Sequence, residues 1–110
     1  MTFVVADREH ARRKELTTIL ISAFPGSTVY QHASLAYASC DVLHHRVDAL
    51  LAAGERNGGL ELMQQLRKQR PELPVLLLSD MEKIGYGHLP QSVVGQKLRN
   101  FLLAARAEGG

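Results

Sequence analysis

The sequence is poor in cysteine and aromatic residues: one Cys, no Trp, three Phe and three Tyr in 110 residues. The single Cys40 cannot form an internal disulfide, which excludes a disulfide-stapled secreted fold and points to a reducing cytoplasm. Cys40 falls in an apolar helical pattern and reads as a packed small residue rather than a reactive thiol. No apolar run approaches membrane-spanning length, and Asp7, Arg8 and Glu9 interrupt any signal-peptide core, so neither a spanning segment nor a leader is expected. The formal net charge of +2 is too small to argue by itself for a nucleic-acid partner. His44 and His45 are adjacent and would point apart on a helix, and His10, His32 and His88 are scattered, so no zinc site is expected.

What is present is a pattern of alternating elements. In Val47–Asp80 a short unbroken apolar run, Ala49 to Ala53, precedes a polar, glycine-containing turn from Gly54 to Gly59. That turn lacks the Gly-Lys-Ser/Thr ending of a phosphate-binding loop, so nucleotide binding is not expected. Leu60, Met63 and Leu66 then recur at helical spacing, and Arg67, Lys68 and Arg70 load the end where the helix dipole favours cations. Pro71 and Pro74 stop the helix, and Val75 to Leu78 forms a second apolar run. Strand, helix and strand within about 30 residues make a βαβ unit, and runs without alternation predict strands covered on both faces of a parallel sheet.

The flanks repeat the alternation. Thr2 to Ala6 reads as a first strand, and Asp7 is placed to cap the helix after it. Leu16, Ile19, Leu20 and Ala23 give that helix one buried stripe. Arg8, His10, Arg12, Arg13 and Lys14 crowd its first turns, against the dipole, and read as a solvated face; no aromatic residue interleaves them to stack on bases. Ser27 to His32 predicts a second strand, and Ala33 to His45 a second helix. Beyond Asp80 the segment MEKIGYGHLP has no period, and Ser92 to Glu108 predicts a last helix with Val94, Leu98, Phe101, Leu102 and Ala105 on one face. One domain is expected over residues 1–110, long enough to bury roughly two-thirds of its unfolded surface. It should be a three-layer, doubly wound α/β fold with strand order 2-1-3-4, its functional crevice at the carboxyl ends of the strands. Asp7, Ala53 and Ser79 close those ends.

VVAD at Val4–Asp7, VDALLA at Val47–Ala52, GLELMQQLR at Gly59–Arg67 and PVLLLSD at Pro74–Asp80 resemble the receiver domain of two-component response regulators over nearly the whole chain. The resemblance implies a flavodoxin-like fold and a role in signalling. It also implies a phosphate-accepting carboxylate after strand three, an acidic pair after strand one that holds Mg²⁺, a Ser/Thr after strand four, and a Lys before a Pro. Carried onto this sequence, the acceptor position falls on Ala53 (or Ala52), the acidic pair becomes Ala6-Asp7, and the lysine becomes Leu89 beside Pro90. Only Asp7 and Ser79 match. Asp48 cannot substitute, because five residues at about 3.3 Å each place it roughly 16 Å from the crevice. With nucleophile and lysine both replaced, aspartyl phosphorylation is not expected.

About ten residues separate Ser79 from Leu89-Pro90. A parallel crossover with its helix needs at least about 10–12 before another strand begins. The fourth helix is therefore expected to be missing and any fifth strand, near Tyr86–His88, to be short, antiparallel or absent. The expected function is that of a degenerate, phosphorylation-independent receiver acting by protein–protein contact in signalling or transcriptional control, as a homodimer or with a protein partner. Nucleic acid would be reached only through a separate domain. Tyr86, Leu89, Lys97 and Phe101 are the candidate partner surface, although Met81, Ile84, Tyr86 and Leu89 could instead cover the sheet edge. Two rivals remain: a small-ligand or Mg²⁺-binding module using Asp7, Glu55, Ser79 and Asp80, and a nucleic-acid-associated protein using Arg8–Lys14. No cofactor is required by the leading reading, and no nucleophile–base pair suggests an enzyme.

Overall fold

Strand β1 (Thr2–Asp7) runs through the centre of the protein, buried from Phe3 to Asp7. The structure, a computed structural model, describes residues 1–53 and 59–109. After β1 come α1 (His10–Ala23), β2 (Thr28–His32), α2 (Leu35–His44), β3 (Ala49–Ala53), α3 (Gly59–Gln69), β4 (Val75–Leu77), α4 (Leu78–Lys83) and α5 (Gln91–Gly109). All strand pairings are parallel, in the order β2-β1-β3-β4. The sequence expectation of a doubly wound α/β fold with this order holds.

Alternation along the strands sends side chains to two cores. Phe3, Val5, Ala49, Leu51 and Leu76 face α1 and α5, where Leu16, Ile19, Leu20, Val94, Leu98 and Leu102 close over them. Val4, Ala6, Leu50 and Ala52 face α2 and α3, meeting Leu35, Ala38, Val42, Met63 and Leu66. Burying one such leucine, Leu98 for instance, contributes about 2 kcal/mol. The two covered faces explain the unalternating runs of β1 and β3. At the edge, β2 keeps half-exposed polar residues, as edge strands do.

Four expectations are corrected here. The apolar run Val75–Leu78 is not all strand: β4 has three residues, and Leu78 opens α4. The Asp80 carboxylate accepts from the Leu77 N–H at 2.8 Å, satisfying a donor at the helix entry. Met81, read from sequence as part of an irregular segment, is 1% exposed and seats α4 on the core beside Leu76. The fourth helix is thus shortened to six residues rather than missing. No fifth strand occurs among the described residues; Gly85 and Gly87 take φ of +102° and +86°, left-handed turns that interrupt an extended chain. Finally, Cys40 is exposed, on the outer face of α2.

Candidate functional site

The register of β1 on β3 pairs Asp7 with Ala53 at the carboxyl edge of the sheet. Asp7 is the last residue of β1, and its side chain is completely buried. Ala53 is the last residue of β3, also buried. The position that the receiver resemblance assigns to a phosphate acceptor therefore holds a methyl group beside the buried Asp7 carboxylate.

The carboxylate is occupied. Arg12, in the first turn of α1, donates from Nε to Asp7 Oδ2 at 2.5 Å and from Nη2 to Oδ1 at 3.0 Å. The Glu9 N–H also donates to Oδ1 at 2.9 Å. Arg12 Nη1 reaches Glu9 Oε2 at 3.1 Å, and Arg13 Nη1 donates to the Asp7 backbone carbonyl at 2.8 Å. The Asp7 hydrogen bond, reinforced by the charges of Asp7 and Glu9 against a smaller desolvation cost, raises the Arg12 pKa above its ordinary value.

Four sequence readings change. Asp7 does cap the start of α1, but through the N–H of Glu9, which precedes the first helical residue. Arg12 and Arg13, read as part of a solvated basic face, turn back onto the end of β1 and are half-buried. Their cations at a helix N-terminus oppose the dipole, and the Asp7 carboxylate and carbonyl offset that opposition. Ser79, expected to end β4 as a crevice hydroxyl, is an exposed residue in the first turn of α4. Asp80, expected as a joint ligand with Asp7, accepts from the Leu77 N–H. Glu55 lies outside the described residues.

Asp48 precedes β3 and accepts from the Thr2 N–H at 2.7 Å, at the opposite edge of the sheet from Asp7. Among the described residues, no group of three His, Cys, Asp or Glu side chains is arranged to hold a metal ion.

The expected partner surface divides. Tyr86 packs half-buried against the α1–α5 core, and its hydroxyl donates to Glu15 Oε2 at 3.1 Å. Burial, and then the Glu15 hydrogen bond, push the Tyr86 pKa up to about 12. Gln91 Nε2 donates to the other Glu15 oxygen at 3.1 Å, so Glu15 ties both the turn after α4 and the start of α5 to α1. Tyr86 is thus an internal tie. Leu89, Lys97 and Phe101 remain at the surface, Leu89 at 40% and Phe101 at 45% exposure, with Val93 and Leu103 beside them in sequence.

Sequence reasoning missed the cluster around Asp41. Its carboxylate bonds His32 Nε2 through one oxygen and lies 3.5 Å from His45 Nε2 through the other, while the His45 ring stacks on Tyr30 at 5.0 Å. The signal was the four-residue spacing of Asp41 and His45, read only for the adjacent His44-His45 pair. Cys40 and His44 share that spacing, and His44 Nδ1 lies 3.1 Å from the Cys40 carbonyl oxygen. Asp7 and Arg12, five apart across a strand–helix junction, follow no such rule.

No protein-family model matches the chain, and neither does any curated protein. Solved structures do match. A CheY-like response regulator receiver domain protein from Methanospirillum hungatei is 16% identical, with a TM-score of 0.71 over 97% of this chain and 97% of that one. A two component transcriptional regulator AraC from Clostridium phytofermentans is 17% identical, with a TM-score of 0.71 over 99% of this chain and 97% of its own. A LuxR family DNA-binding response regulator from Silicibacter pomeroyi is 18% identical, with a TM-score of 0.59 over all of this chain and 72% of its own. Likeness at this level of identity is likeness of fold, and the fold of this chain is that of CheY-like response regulator receiver domains.

Proposed function

We propose that this chain is a receiver-like signalling domain that works without phosphorylation, through protein–protein contact, in transcriptional control. The observation that carries the reading is Ala53 in register with Asp7. A methyl group offers no nucleophile, and Leu89 offers no cation to a transferred phosphoryl group. The names of two neighbours of like fold, a DNA-binding response regulator and a transcriptional regulator, favour a regulatory setting.

The contact surface is the exposed apolar set on and before α5: Leu89, Val93 and Phe101 around Lys97. Pairing of these faces between two copies would make a homodimer, and a protein partner would use the same residues. The basic start of α1 is a weaker nucleic-acid candidate than its sequence suggests, because Arg12 and Arg13 are engaged by Asp7. The small-ligand reading loses support because Asp7 and Asp80 each have a structural partner.

Two measurements test the proposal. Incubation with acetyl phosphate and Mg²⁺ followed by intact-protein mass spectrometry should leave the mass unchanged; a phosphoryl adduct on a carboxylate that hydroxylamine releases overturns it. Sedimentation over a concentration series should show self-association that Phe101→Glu weakens; a protein monomeric throughout leaves the homodimer without support and directs the surface to another chain.

A further inference from the structure

We propose that the Arg12 guanidinium is the resident cation of the crevice and that no divalent metal binds there. The inference deepens the phosphorylation-independent reading, yet it can fail while that reading stands. A receiver resemblance implies Mg²⁺ at this place, and the donors present do not fit it. Mg²⁺ demands near-octahedral oxygen coordination, and protein sites usually supply one or two carboxylates beside its waters. Here the residue before Asp7 is Ala6, and its register neighbour on β3 is Ala53, so among the described residues Asp7 alone brings a buried carboxylate to the junction, and the exposed Glu9 carboxylate beside it lies 3.1 Å from Arg12 Nη1. The Asp7 oxygens are already taken: Oδ2 by Arg12 Nε, and Oδ1 by both Arg12 Nη2 and the Glu9 N–H. The Asp80 carboxylate holds the Leu77 N–H.

Arg12 meets the requirement that a metal meets elsewhere. The planar guanidinium matches a carboxylate through two parallel N–H bonds and stays charged throughout the physiological range. Asp7 is fully buried, and an unpaired carboxylate there would be costly, so its counter-charge must be permanent or drawn from solution. Because Arg12 belongs to the same chain, its occupancy of the site does not depend on cation concentration. Arg13, donating to the Asp7 carbonyl, fixes the same turn of α1 to the end of β1. The counter-charge of the junction is therefore built into the chain and independent of ambient Mg²⁺.

The test is a Mn²⁺ titration of the intact chain followed by paramagnetic broadening of backbone amide resonances. In the wild type no selective broadening should centre on Asp7, Glu9 and Ala53. The Arg12→Gln variant, which removes the competing charge, should bind Mn²⁺ at those amides at least about tenfold more tightly than wild type. Saturable wild-type broadening centred on Asp7 overturns the proposal, as does a folded Arg12→Gln variant without broadening. Should Arg12→Gln fail to fold, thermal unfolding of the wild type decides. Its Tm should be the same with and without Mg²⁺, and a Mg²⁺-dependent rise that Asp7→Asn abolishes overturns the inference. The acetyl phosphate experiment reads the acceptor position, so the two ideas fail by different observations.

Discussion

Asp7 and Ala53 are register partners on adjacent parallel strands, one carrying a fully buried carboxylate and the other a buried methyl. Strands lie about 4.8 Å apart, so a second carboxylate at residue 53 would stand against the first, whose Arg12 partner is already engaged. Ala53→Asp should lower stability by about 1–3 kcal/mol at neutral pH, as burial of a partly compensated charge does. Like-charge repulsion raises the folded-state pKa of one carboxylate, so the stability it withholds at neutral pH returns below its unfolded value. Urea unfolding of variant and wild type across mildly acid pH measures both effects. A substitution without cost would mean that the two positions are not neighbours.

The Asp7–Arg12 pair should show strong coupling. Removing Arg12 leaves a buried carboxylate with only the Glu9 N–H, and breaking such pairs from one side costs about 3–5 kcal/mol. Arg12 is 20% exposed, which places Arg12→Ala toward the lower end. Asp7→Asn in the same background removes the uncompensated charge, so the double variant should be more stable than the sum of the singles implies. Additive losses in a double-mutant cycle would show that the two side chains do not interact.

Tyr86 gives the protein an alkaline signature. Its pKa is raised to about 12, above the ordinary value of 10.0. Between those values the unfolded chain has lost the phenol proton and the folded chain keeps it. The stability from this group is thus full below pH 10 and declines as pH rises toward 12. Tyr86→Phe should remove that decline and cost about 0.5–1 kcal/mol at neutral pH for the lost Glu15 hydrogen bond. Denaturant unfolding from neutral to alkaline pH, beside the phenolate absorbance difference between the two proteins, checks both parts.

Gly85 sits at φ +102°, and a Cβ there would lie 2.4 Å from Leu89 Cδ1. Gly85→Ala should therefore destabilise by about 1–3 kcal/mol, from backbone strain and the clash together. Adding Leu89→Ala should recover only the clash. Full recovery in thermal unfolding would mean that the left-handed backbone carries no cost.

Legibility in the sequence followed range of interaction. The strand order and both cores could be read because Val4, Val5, Leu50 and Leu51 lie in runs that only a sheet covered on both faces explains. Ala53 could be read because absence of a nucleophile is a property of one residue. Leu78 was misassigned because an apolar run carries no mark of where strand gives way to helix; the Asp80 cap decided it, three residues after Leu77. Cys40 was misplaced because α2 buries Leu35, Ala38 and Val42, and one step around the helix from that stripe is solvent. Arg12 was missed because its partner lies across a strand–helix junction, where neither the helical nor the strand period applies.

Gly95 makes the opposite case from Gly85. It lies inside α5, where α5 meets α1, and has no positive φ. A Cβ added there would lie 3.5 Å from Ala23 Cβ and 3.7 Å from the Ile19 carbonyl oxygen, both ordinary contact distances. Alanine is favoured over glycine in a helix interior by about 1 kcal/mol, because it loses less backbone freedom on folding. Gly95→Ala should therefore raise stability by about 0.5–1 kcal/mol, while Gly95→Leu, forced between the two helices, should lower it. Thermal unfolding of the pair gives both signs. A destabilising alanine would place α1 and α5 closer together than their backbones indicate, and would make Gly95 a requirement of packing rather than a tolerated residue.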